Sequence, residues 1–154
     1  MPRTVYTAAI CIAVAADSEA EACDAISESA KRIGHVVDLQ IQCNLKGIPM
    51  DTYATLPAEE AGAVTSCLQA WQRFKEERPL FCSQVTGIQT ELTDGEIVGH
   101  PDLIVTEPSR WGIVDVKTSK AIQPRHWVQV AAYYTLKRGN DPIRPTDYLA
   151  ILRL

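Results

Sequence analysis

The alternation of apolar and polar positions divides the chain into two regions. Thr4 to Ala16 is rich in β-branched and small apolar residues and predicts a buried strand. Ser18 with Glu21 forms a capping-box pattern, and Ala22, Ile26, Ala30 and Ile33 follow at helical spacing. Gly34 suits the position just past a helix end, and Val36 to Gln42 alternates as a second strand. Residues 1–50 are therefore expected to form a small N-terminal β-α-β unit. It is too small to bury a core alone and must pack on the rest of the chain or on a partner. Residues 44–56, with Gly47, Pro49 and Asp51, read as a connecting loop.

The second region, residues 51–154, is expected to be one domain. Pro57 suits a first helical turn, and Ala61, Val64, Leu68, Trp71 and Phe74 place one apolar stripe along the helix that follows. Trp71 and Phe74 are expected in the core. Glu59, Glu60, Glu76 and Glu77 are expected on the solvated face. After Pro79 the pattern changes to strands. Cys82 to Leu92 predicts the first, Asp94-Gly95 a hairpin turn, and Glu96 to Thr106 the second. Glu107-Pro108-Ser109-Arg110 turns into a third, which carries Gly112 to Ser119. Pro124 opens a helix whose end is marked by Lys137-Arg138 and Gly139, and Asp147 to Leu154 is a last apolar strand. The order from residue 57 is αβββαβ, and the fold class expected is α/β.

Composition narrows this picture little. With 154 residues, 46% hydrophobic and 22% charged, the chain reads as an ordinary soluble globular protein. No apolar run reaches the ~20 residues that span a bilayer. The apolar run ending at Ala16 lacks a basic lead-in and is followed by acidic residues, so it reads as a strand and not as a signal peptide. Five cysteines, Cys11, Cys23, Cys43, Cys67 and Cys82, are widely spaced without a CxxC, which suggests reduced thiols in a cytoplasmic protein. Charge is uneven. Residues 1–99 hold seven basic and fourteen acidic side chains, residues 100–154 eight basic and five acidic. A nucleic-acid partner would meet the second stretch.

The candidate chemistry sits on the predicted hairpin. Residues two apart on a strand share a face, so Asp115 and Lys117 point one way while Val114 and Val116 point the other. A buried strand has no structural need for either charge, and desolvating them is costly unless they are paired or bound. Asp102 on the neighbouring strand adds a second carboxylate. Two adjacent carboxylates stay ionised together mainly when a cation lies between them, and hard oxygen ligands suit Mg²⁺ or Mn²⁺.

Pro101-Asp102 followed by Asp115-Val116-Lys117 resembles the PD-(D/E)XK nuclease motif. Gln129-Val130-Ala131-Ala132-Tyr133 resembles the Gln-X-X-X-Tyr motif of the RecB-like and lambda-exonuclease-like branch, and Glu91 stands where that branch has a glutamate. His100 departs from the small or apolar residue that many relatives carry before the Pro-Asp. The resemblance covers roughly residues 57–154. It implies a restriction-endonuclease-like αβββαβ core with a central mixed sheet.

It further implies a Mg²⁺-dependent deoxyribonuclease, an exonuclease of phage or bacterial recombination or repair, in which Mn²⁺ can substitute. Glu91, Asp102, Asp115 and the Val116 carbonyl would hold the metal. Lys117 would position the attacking water. Gln129 and Tyr133, sharing a helix face, would contact the nucleic acid. Thr118, Ser119, Lys120, Arg125 and His126 are candidates for phosphate contact, the last two at a helix start that favours anions. The partner implied is DNA, at single- or double-stranded ends. No cysteine follows Cys82, so the iron–sulfur cluster of some relatives is not expected. Two further expectations stand beside these: a catalytically inactive nucleic-acid-binding module of the same fold, and a role for residues 1–50 in self-association or in binding a recombination partner protein.

Overall fold

The computed structural model describes residues 19–50, 55–142 and 144–154. The strand expected over Thr4 to Ala16 lies outside the described residues. The chain divides into two compact units, Met1–Ala70 and Trp71–Leu154.

The first unit is helical where it is described. Helix α1 runs through Glu19–Leu45, and α2 spans Ala58–Glu77, its residues up to Ala70 belonging to this unit. The strand expected over Val36 to Gln42 is not formed; that segment is the last part of α1. Ser29, Val37 and Ile41 are buried, with half-buried Ile33 and Leu45 completing a four-residue spacing. That spacing is helical, and a strand would have put Val37 and its like-facing neighbours two apart. Gly34 falls inside the helix, and the chain turns out at Gly47 instead, where Ile48 N–H donates to the Cys43 carbonyl at 2.8 Å. Glu60 is also not on a solvated face. Its side chain is buried and accepts from Arg32 Nη2 at 2.6 Å and Nε at 3.1 Å, a two-pronged pair that ties α1 to α2.

The second unit is mixed α/β. Trp71, at the end of α2, stacks on Phe74, and Phe81 stands edge-on to both rings. Phe81 opens the one-turn helix α3 (Phe81–Gln84), which occupies the start of the segment expected to be strand. Then come β1 (Val85–Ile88), β2 (Leu92–Thr93), β3 (Val98–Gly99), β4 (Leu103–Glu107), β5 (Arg110–Lys117), α4 (Pro124–Arg138) and β6 (Tyr148–Arg153). The second expected strand is thus split. Its first piece pairs with β2 in a small hairpin, and Pro101, without an N–H, marks the gap before β4.

Four strands form a mixed sheet in the order β1-β4-β5-β6. β4 is antiparallel to both β1 and β5, whereas β6 runs parallel to β5. Ile104, Ile113 and Val130 form a core, with Leu92, Trp111, Tyr133, Leu149 and Ile151 packed against it. Because Val130 and Tyr133 belong to α4, this core defines the sheet face that α4 covers. No helix of the described residues is long and apolar enough to cross a membrane.

Candidate functional site

Strand alternation fixes which face carries the charged groups. Ile113 points toward α4, so Asp115 and Lys117, two and four residues on, share that face. Leu103 pairs with Val114, and one step further along the two strands Asp102 comes opposite Asp115. Asp102 is fixed there on both oxygens. Gln89 Nε2 donates to Oδ1 at 2.7 Å, and the Val116 N–H donates to Oδ2 at 2.7 Å. Asp115 is 1% exposed. Lys117 Nζ stands 2.7 Å from its Oδ2. That contact is an ion pair by distance, but no donor meets the buried Oδ2 at hydrogen-bonding angles.

The electrostatics follow from burial. Desolvation, with a further push from the Asp115 charge, raises the Asp102 carboxyl to about 6 from an ordinary 3.8, against the opposing pull of the Val116 N–H, Lys117 and Gln89. Two carboxylates and one ammonium thus share a largely desolvated corner of the sheet. Two neighbouring carboxylates in a desolvated setting, one of which ionises less readily than usual, are a donor set that suits a hard divalent cation. Asp102 and Asp115 fit such an ion.

The other expected residues are distributed around this corner. Glu91 lies with His100, 3.6 Å from its Nε2, and both side chains are at least half exposed. Among the described residues no three His, Cys, Asp or Glu side chains gather into one metal-holding group, so Glu91 does not join the aspartate pair in such a cluster. Val116 contributes its N–H to Asp102. Gln129 Nε2 donates to the Tyr133 hydroxyl at 2.9 Å, and the Tyr133 ring lies against Gly99, three residues before Asp102.

Residues 118–121 leave the end of β5 as a loop tied to the end of β6. Arg153 Nη1 donates to the Lys120 carbonyl at 2.8 Å, and the Leu154 N–H donates to the Lys117 carbonyl at 3.0 Å. Thr118 is half-buried, Ser119 Oγ donates to the Ala121 carbonyl at 3.0 Å, and Arg125 is exposed. His126 is buried, and its Nδ1 accepts the Gln123 N–H at 3.2 Å as part of a capping box for α4. Desolvation, then the charges of Lys117 and Arg125, hold its pKa below the ordinary histidine value. It therefore acts first as a neutral cap.

Gln89 is a residue that sequence reasoning missed. A glutamine at the end of a strand has no periodicity or spacing that marks it, and only the fold brings it to Asp102. Two hollows of this unit, about 280 and 560 Å³, are lined by none of these candidate residues. The chain matches no protein-family model, no curated protein and no solved structure with which it was compared.

Proposed function

We propose that this chain is a metal-dependent nuclease that hydrolyses DNA phosphodiester bonds, an exonuclease of phage or bacterial recombination or repair built on a restriction-endonuclease-like core. The observation that carries the reading is the meeting of Asp102, Asp115 and Lys117 on the sheet face covered by the Gln129–Tyr133 helix. The mixed sheet, with β6 parallel to β5 and α4 between them in sequence, supports the core assignment.

Asp102 and Asp115 would hold Mg²⁺ or Mn²⁺. Such an ion would supply Lewis-acid polarisation of the scissile phosphate and a lowered pKa for water. The chain supplies the rest. Gln89 and the Val116 N–H hold the Asp102 carboxylate in one orientation. Lys117, with three N–H donors on a stem packed into the sheet, orients the attacking water and offsets negative charge on the non-bridging phosphate oxygens. Gln129 and Tyr133 present an amide and a phenol to the strand being cut. The basic residues 117, 120 and 125 keep the phosphate backbone at this corner.

A second reading, a nucleic-acid-binding module without catalysis, is favoured by Glu91 being paired with the exposed His100 at 3.6 Å. End-labelled single- and double-stranded DNA, incubated with Mg²⁺ or Mn²⁺ and with EDTA, separates the two. The nuclease reading expects cleavage that EDTA abolishes and that Lys117→Ala reduces at least ~100-fold. Binding without any cleavage by the wild type would favour the binding module.

A further inference from the structure

Gln89 is the one described residue other than glycine whose φ is positive, at 49°. Side chains with a Cβ avoid that region unless their surroundings hold them there. The local backbone shows what holds this one. The β1–β4 register slips between Val85 and Gly87, and the last regular pair is Ile88 with Leu103. Gln89 then turns left-handed opposite Asp102. Its N–H donates to the Asp102 carbonyl at 3.0 Å, and its side-chain Nε2 donates to Asp102 Oδ1 at 2.7 Å. The same residue is clamped to Asp102 through main chain and side chain at once. With the Val116 N–H on Oδ2, the carboxylate has a donor on each oxygen and no freedom to rotate.

Such an arrangement is not what strand pairing alone requires. The backbone bond would satisfy the Asp102 carbonyl without any side chain at residue 89, and a glycine would take φ 49° without strain. The amide at this position therefore has a separate task. We propose that Gln89 is the positioning residue of the metal site: its amide orients Asp102 toward Asp115, so that the two carboxylates meet a divalent cation in one fixed geometry. This inference rests on the nuclease reading above and adds to it a residue outside the D-X-K pattern. Partners that orient a ligand characteristically change metal affinity by 10–100-fold when removed.

Titration calorimetry with Mn²⁺ on the full chain tests it, paired with thermal melts without metal. Gln89→Gly removes the amide and keeps the left-handed backbone accessible. The expected result is Mn²⁺ affinity reduced ~10-fold or more in Gln89→Gly, with a melting temperature in EDTA that does not fall. Gln89→Asn, a shorter amide, is expected to recover part of the affinity that Gln89→Ala loses. Wild-type affinity in Gln89→Gly would overturn the role of Gln89 while leaving the metal site standing. No Mn²⁺ binding by the wild type, with none by Asp115→Asn, would overturn the metal site itself and the positioning role with it.

Discussion

The Tyr133 ring lies so close to the Cα of Gly99 that a methyl group there would stand 2.8 Å from Cε1 and 2.9 Å from Cδ1. Tyr133 is not free to withdraw, because it packs on the Ile104–Ile113–Val130 core. The glycine therefore sets how closely α4 approaches the turn that carries Asp102. Gly99→Ala is expected to lower stability by about 1–3 kcal/mol through overpacking. Combining it with Tyr133→Leu should recover part of the loss. Urea melts of the single and double variants check both statements.

Lys117 neutralises a carboxylate with almost no access to water. Lys117→Met keeps much of the stem and leaves the Asp115 charge uncompensated. Without metal, the variant is expected to lose about 3 kcal/mol. Because a divalent cation binding at Asp115 replaces the missing positive charge, millimolar Mg²⁺ should restore more stability to Lys117→Met than to the wild type. Melting curves with and without Mg²⁺ read this out.

Asp102 gives the metal-free protein a particular pH dependence. Its carboxyl is raised by burial to about 6 in the folded chain, from 3.8. Between those values the folded chain holds the proton and the unfolded chain does not. Folding stability attached to this group is therefore present at pH 4 and falls as pH rises toward 6, by up to about 3 kcal/mol. Melts from pH 4 to 7 in EDTA should show this decline in the wild type, and a shallower one in Asp102→Asn. Mg²⁺ should oppose the decline above pH 6, since it favours the ionised carboxylate.

The first unit titrates the other way. The Arg32 guanidinium, followed by Ser29, holds the Glu60 carboxyl below its ordinary value despite burial. Its contribution is present above the ordinary carboxylate range and lost as pH falls through the lowered folded value. Glu60→Gln is expected to lower the melting temperature by roughly 2–5 °C at pH 7, with the difference shrinking toward pH 3. A difference that grew on acidification would contradict this role.

Local signals explain what could be read in advance. The Asp94-Gly95 turn, the Glu107–Arg110 turn, the Pro124 start and Gly139 end of α4, and the last strand each have their own short-range chemistry, and each lies where the pattern puts it. That Asp115 and Lys117 share a face is legible because strand parity is independent of tertiary context; their 2.7 Å ion pair is not. The misreadings come from segments where two periods compete. Val36 to Gln42 has adjacent apolar residues at Val36 and Val37 that satisfy neither a clean alternation nor a complete helical face alone, and burial of Val37 with Ile41 decides for helix. Gly34 fits a helix end by local chemistry, but a helix tolerates an interior glycine when its neighbours pack. The strand expected from Cys82 starts later, at Val85, because Phe81, edge-on to Trp71 and Phe74, opens a helical turn that continues to Gln84. Glu60 looked solvent-facing because its partner, Arg32, is 28 positions away. Gln89 acquires meaning only from the slipped register that turns it toward Asp102.

Whether Asp102 and Asp115 hold a divalent cation beside Lys117 can be seen in a crystal. Anomalous diffraction from crystals of the chain grown or soaked with Mn²⁺ tests it most directly. A manganese peak at the Asp102 and Asp115 carboxylates, lost in Asp115→Asn, is the expected result. A fully occupied peak elsewhere on the chain, with the aspartate corner empty at the same Mn²⁺ concentration, would rule out a metal at this corner.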